Sequence, residues 1–95
     1  MSAVRLGAGA LRELRLHLCL KGTTSSGVRS FIENEYVNLK KTNPNFPILI
    51  REASGVQPKL FARFEKGVEE AVSLENLSKD DILRLITNFA SKKPI

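Results

Sequence analysis

Phe46-Pro47-Ile48-Leu49-Ile50-Arg51-Glu52-Ala53-Ser54-Gly55-Val56-Gln57-Pro58-Lys59-Leu60-Phe61-Ala62-Arg63-Phe64 is the stretch that decides the fold. An apolar triplet, a turn with glycine and proline, and a second aliphatic and aromatic run predict strand, loop, strand. Ile48-Leu49-Ile50 has no polar interruption, the pattern of a strand covered on both faces in a parallel sheet. Leu60, Phe61 and Phe64 belong to the strand after the loop. Pro58, just before that strand, gives either a tight turn or a cis bond that exposes the preceding backbone to an extended peptide. If that edge is open, Gln57 and Lys59 are contact residues.

Upstream, Leu14, Leu16, Leu18 and Leu20 alternate with Glu13, Arg15, His17 and Cys19, which predicts a first strand with one aliphatic face. A polar loop from Lys21 to Gly27 follows, in which Ser25 or Ser26 is a candidate helix cap. Val28, Phe31, Ile32, Tyr36 and Leu39 then fall on one helical stripe, with Arg29, Glu33, Asn34 and Lys40 opposite. Lys40 and Lys41 suit the negative end of the helix dipole, and Asn43-Pro44 ends the helix. Strand, helix and strand form a right-handed crossover.

Downstream, Glu65-Lys66-Gly67 is a turn signal and Glu69 to Leu74 a fourth strand, so the third and fourth make a hairpin. Ser78-Lys79-Asp80-Asp81 resembles a capping box, and Ile82, Leu85, Ile86 and Phe89 line one face of the helix it opens. The expected architecture is therefore α/β, a four-stranded mixed sheet with two covering helices in the order β-α-β-β-β-α. Residues 12–91 form one domain, between a flexible N-terminal arm at 1–11 and a C-terminal tail at 92–95. The arm reads as a frayed terminus or a weak mitochondrial address, without the apolar core of a secretory signal.

A chain of 95 residues supports one domain with a modest core. Its hydrophobic fraction of 42% excludes disorder, and no apolar run reaches the ~20 residues of a bilayer span, so no direct membrane insertion is expected. The net charge of +5 is uneven: residues 1–63 carry ten basic and four acidic side chains, residues 64–95 five and six. The basic part would steer toward an acidic surface, with Arg12, Arg15, Arg51, Lys59 and Arg63 as candidate contacts.

Catalytic chemistry finds little purchase. Cys19 is the only cysteine, so no internal disulfide or Cys-x-x-Cys pair exists, and a quiet thiol outweighs a nucleophile. His17 is the only histidine and points with Glu13 and Arg15 to the less aliphatic face, too few ligands for a metal. Ser25 and Ser26 lack a partner base, Gly7-Ala8-Gly9 follows no strand, and Asn76-Leu77-Ser78 is a common glycosylation pattern. No catalytic residue, cofactor or metal is expected.

With these residues in place, the chain resembles a thioredoxin-type fold without its paired thiols, and within that fold one family. It is similar to the small thioredoxin-like accessory subunit of mitochondrial NADH:ubiquinone oxidoreductase, respiratory complex I (the alpha subcomplex subunit 2 or B8 family). The resemblance rests on Leu14-Arg15-Leu16-His17-Leu18-Cys19, on Gly27-Val28-Arg29-Ser30-Phe31-Ile32-Glu33, on Asn43 to Glu52 and on Gly55-Val56-Gln57-Pro58. It implies a non-catalytic subunit on the matrix side of the inner membrane. There it would lie against the large iron-sulfur subunit of the NADH-oxidising module and support assembly or stability. Many members carry a second cysteine where this chain has Ala53, so Cys19 is an unpaired family thiol. Some mitochondrial ribosomal proteins share the domain and are the alternative, but Glu65, Glu69, Glu70, Glu75, Asp80 and Asp81 would repel phosphate, and no nucleic acid is expected.

Overall fold

The alternation of leucines with charged residues builds strand β1 (Leu11–Leu18), the spine of a four-stranded sheet. The computed structural model describes residues 4–19 and 21–92, so Leu20, last in the predicted alternation, lies outside the described residues. β1 pairs in parallel with β2 (Ile48–Glu52) and antiparallel with β3 (Lys59–Phe64). β3 pairs antiparallel with β4 (Glu69–Ser73), giving the mixed order β2-β1-β3-β4. Between β1 and β2 the chain forms helix α1 (Ser26–Phe31), a π-helical segment (Ile32–Tyr36) and helix α2 (Val37–Thr42). Helix α3 (Lys79–Ala90) follows β4.

The core lies between the helices and one sheet face. Leu14 and Leu16 of β1 sit opposite Ile48 and Ile50 of β2 and opposite Ala62 and Leu60 of β3. These side chains join Val28, Phe31, Leu39, Ile82, Ile86 and Phe89 in one cluster. Each buried leucine contributes about 1.5–3 kcal/mol relative to exposure. Both predicted stripes are present, with Ile32, Tyr36 and Leu85 packed at the margin.

The other sheet face is bare, which corrects the expectation of a second strand covered on both sides. Leu49 stands between Ile48 and Ile50 and is 52% exposed. Strand β2 pairs with β1 at Arg15↔Leu49, so Leu49 must share the side of the sheet that Arg15 occupies. A mixed sheet, unlike an all-parallel one, can leave one face to water.

Helix α1 is seated at Gly27 against the backbone of Leu77 and Ser78, which leads into α3. An ideal Cβ there would stand 1.6 Å from the Leu77 carbonyl oxygen, so only glycine fits this approach. The Asn76 N–H donates to the Thr24 carbonyl at 3.1 Å beside it. The capping box forms as expected: the Asp81 N–H donates to Ser78 Oγ at 3.1 Å and the Ser78 N–H to Asp81 Oδ2 at 3.4 Å. Ser25 does not cap α1. It is fully buried and accepts the Cys19 N–H at 3.2 Å, linking the end of β1 to the helix.

The stretch expected as an N-terminal arm contributes to the core from Leu6, which is fully buried in a 3-10 turn (Leu6–Ala8). Asn43 secures it, because Oδ1 accepts the Leu6 N–H at 2.9 Å while Nδ2 donates to the Val4 and Leu39 carbonyls at 2.7 and 3.0 Å.

Around Pro58 the proposed open edge is closed. No described peptide bond is cis, Pro58 is buried, and its carbonyl accepts the Leu74 N–H at 2.9 Å. Strand β3 is interior, with Lys59 opposite His17 on one side and Ser73 on the other. Gln57 is exposed but borders no free backbone edge of β3.

Candidate docking face

The bare face is built by the odd-numbered positions of β1, β2 and β3, and the register sorts them into three rows. Glu13 lies opposite Arg63, which lies opposite Glu69. Arg15 lies between Leu49 and Phe61, and Phe61 opposite Ala71. His17 lies between Arg51 and Lys59, and Lys59 opposite Ser73. A hollow of about 560 Å³ between β1 and β2 is bounded by Glu13, Arg15, His17, Leu49, Arg51 and Arg63.

The rows differ in how their charge is met. Arg63 faces Glu13 at 4.0 Å, and Arg15 is paired with Glu69 while its guanidinium carbon lies 5.3 Å from the centre of the Phe61 ring. His17 packs on the same ring with centroids 4.7 Å apart. In the third row the Arg51 and Lys59 side chains are both exposed and, among the described residues, make no ion pair or side-chain hydrogen bond. Arg51 on β2 and Lys59 on β3 stand on either side of His17, two strand spacings apart. Burial first, then Arg51, Arg15 and Lys59, hold the His17 imidazole below its ordinary 6.5.

Of the other candidates, Arg12 stands apart at the bulge between Leu11 and Glu13, where it donates to the Gly9 and Leu11 carbonyls and pairs with Glu65 at 3.3 Å. Two acids of the C-terminal third thus neutralise cations of the basic part, Glu65 with Arg12 and Glu69 with Arg15, while Glu70 pairs with Lys92 inside that third. The structure brings together Arg15, Arg51, Lys59 and Arg63 and leaves Arg12, Gln57 and Pro58 outside the face.

Leu49, read from sequence as covered on both sides, and Phe61, read as part of the third strand, are the apolar part of this face. The alternation in β1 carried the signal, because whatever strand pairs beside Arg15 and His17 must share their wet side. Arg29, read as lying on the helix face opposite the apolar stripe, donates from Nη1 to the Cys19 and Gly22 carbonyls at 2.9 and 2.8 Å.

Cys19 is a free thiol of intermediate exposure at the end of β1. Backbone N–H groups of Lys21, Gly55 and Gly22 face its sulfur, and with a smaller effect from Arg29 they lower its pKa from the usual 9.0 against an opposing effect of burial. A second hollow, lined by Cys19, Lys21, Glu52, Ala53 and Ser54, brings Ala53 beside Cys19. Ser25, buried against the Cys19 backbone, is tied up structurally. Among the described residues no group of three or more His, Cys, Asp or Glu is placed to hold a metal ion, and no helix is long and apolar enough to cross a membrane.

A small α/β domain with helices on one face of a mixed sheet and charged side chains on the other is the class that this geometry defines. Residues 28–79 match the family model described as the Mitochondrial ribosomal protein L51 / S25 / CI-B8 domain. The chain is 57% identical over 83 residues to NADH dehydrogenase (ubiquinone) 1 alpha subcomplex subunit 2 of Mus musculus, covering 87% of this chain and 84% of that one. It is 46% identical over 80 residues to the protein of the same name from Arabidopsis thaliana, covering 84% and 82%. To the NADH-ubiquinone oxidoreductase 10.5 kDa subunit of Neurospora crassa it is 46% identical over 79 residues, covering 83% and 84%. The chain belongs to the L51 / S25 / CI-B8 domain family.

Proposed function

We propose that this protein is an accessory subunit of mitochondrial respiratory complex I, and that it works by docking rather than by catalysis. The observation that carries the reading is the 57% identity spanning most of both chains with a relative named as a subunit of that NADH dehydrogenase. Its place is the matrix side of the inner membrane, against the large iron-sulfur subunit of the NADH-oxidising module, where it supports assembly or stability. The sheet order β2-β1-β3-β4, with β1 and β2 parallel and β3 and β4 antiparallel, supports a thioredoxin-like assignment. That scaffold has here one thiol and no second cysteine to pair with it.

The ribosomal reading has one observation behind it, the family description itself, which names ribosomal proteins beside the complex I subunit. Relatives from a mouse, a plant and a fungus carry the complex I name, which favours the first reading. The test is to tag the chain in its own cells, solubilise mitochondria gently, and identify by native gel and mass spectrometry the particle that holds it. Comigration with NADH dehydrogenase activity is expected; comigration with ribosomal RNA would overturn the proposal.

A further inference from the structure

We propose that the row Arg51, His17 and Lys59 on the bare sheet face is the seat for a carboxylate-bearing segment of the partner protein, with Leu49 as the apolar contact beside it. This rests on the complex I reading above and adds the surface and the chemistry of its occupant. Three basic side chains lie side by side on β2, β1 and β3, and no acid stands in their row. The two rows beyond it hold Glu13 and Glu69, which meet Arg63 and Arg15, so the face as a whole is not merely basic. Among the described residues, this is the row of the three that keeps two exposed cations without a counter-charge. Two exposed cations flanking His17 supply the charge and the donors that an anion lying across β2, β1 and β3 would meet.

Charge and shape both point to a protein carboxylate rather than a nucleic acid. Phe61 is the aromatic ring of the face, and Arg15 and His17 pack on it, so it offers no platform for a base to stack on. Glu13 and Glu69 on the same face would repel a phosphate backbone that ran across the rows. A 52% exposed leucine next to the cationic row suits an acidic segment with an aliphatic residue in it.

The test uses the full chain, tagged, in cells from which the native copy has been deleted. Arg51→Glu with Lys59→Glu is compared with Arg5→Glu with Lys41→Glu, which makes the same change in net charge at exposed positions away from the face. The sheet variant is expected to lose at least tenfold in incorporation into the NADH dehydrogenase band, the control less than twofold. Thermal melts of the isolated chains separate docking from folding, because both substituted side chains are exposed and the sheet variant is expected to melt no lower than the unaltered protein. Should it fail to fold, Arg51→Gln with Lys59→Gln keeps the polar stems and is expected to give a smaller loss in the same direction. Equal incorporation of sheet and control variants, with the unaltered chain in the NADH dehydrogenase band, overturns the seat and leaves the function standing. An unaltered chain found with ribosomal RNA, or only as pairs of itself, overturns both.

Discussion

Replacing Gly27 by alanine sets two effects of opposite sign against each other. Alanine is favoured over glycine inside a helix by about 1 kcal/mol, so the substitution would stabilise α1 if the site were open. It is not open: the new methyl carbon would stand 1.6 Å from the Leu77 carbonyl oxygen and 2.8 Å from its carbon. Reaching an ordinary contact requires a retreat of about 2 Å. Backbone must make that retreat, since no flexible side chain lies in the way, and overpacking of this kind costs about 1–3 kcal/mol. Moving Leu77 also strains the neighbouring bond from Asn76 N–H to the Thr24 carbonyl, worth about 1 kcal/mol. The steric cost prevails, with a net loss of about 2 kcal/mol, equivalent to a fall of roughly 8–16 °C in Tm for a domain of this size. Thermal and urea denaturation followed by circular dichroism measure it. Gly55→Ala is the comparator: its site is open but its φ is +78°, so strain alone should cost about 1 kcal/mol. A Gly27→Ala protein as stable as the parent would refute the reasoning, because α1 would then not be seated against Leu77.

Other perturbations reach the remaining elements. Asn43→Ala removes three hydrogen bonds and should destabilise by about 1–3 kcal/mol, with faster amide exchange at Leu6; unchanged exchange there would show that Asn43 does not anchor the N-terminal stretch. Because its pKa is lowered in the fold, His17 gives full stability above about pH 6.5 and loses it below, where the unfolded chain takes up the proton first. His17→Gln should flatten the dependence of Tm on pH between 7.5 and 5, and an unaltered slope would count against this. Cys19 should react with iodoacetamide along a titration whose midpoint lies below 9.0. A midpoint at or above 9.0 would mean that the backbone N–H groups of Lys21, Gly55 and Gly22 do not reach its sulfur.

Local pattern was enough for the elements themselves. Period two at Leu14, Leu16 and Leu18, the helical stripe from Val28 to Leu39, and the Ser78 and Asp81 capping box each bond or bury within a few residues of chain, so their spacing carries the information. Arg15 and Lys59 were legible as cations, because charge is a property of the residue. What the spacing of Ile48, Leu49 and Ile50 does not contain is how many layers cover the sheet. That depends on where the two helices dock, and Gly27 against Leu77 puts both on one side. Leu49 and Phe61 are thereby turned to solvent, and Pro58 falls beside an interior strand instead of an edge. Only strand pairing decides which charges meet. Glu69 lies 54 positions from Arg15 along the chain and neutralises it, while Arg51, His17 and Lys59 are set side by side without an acid.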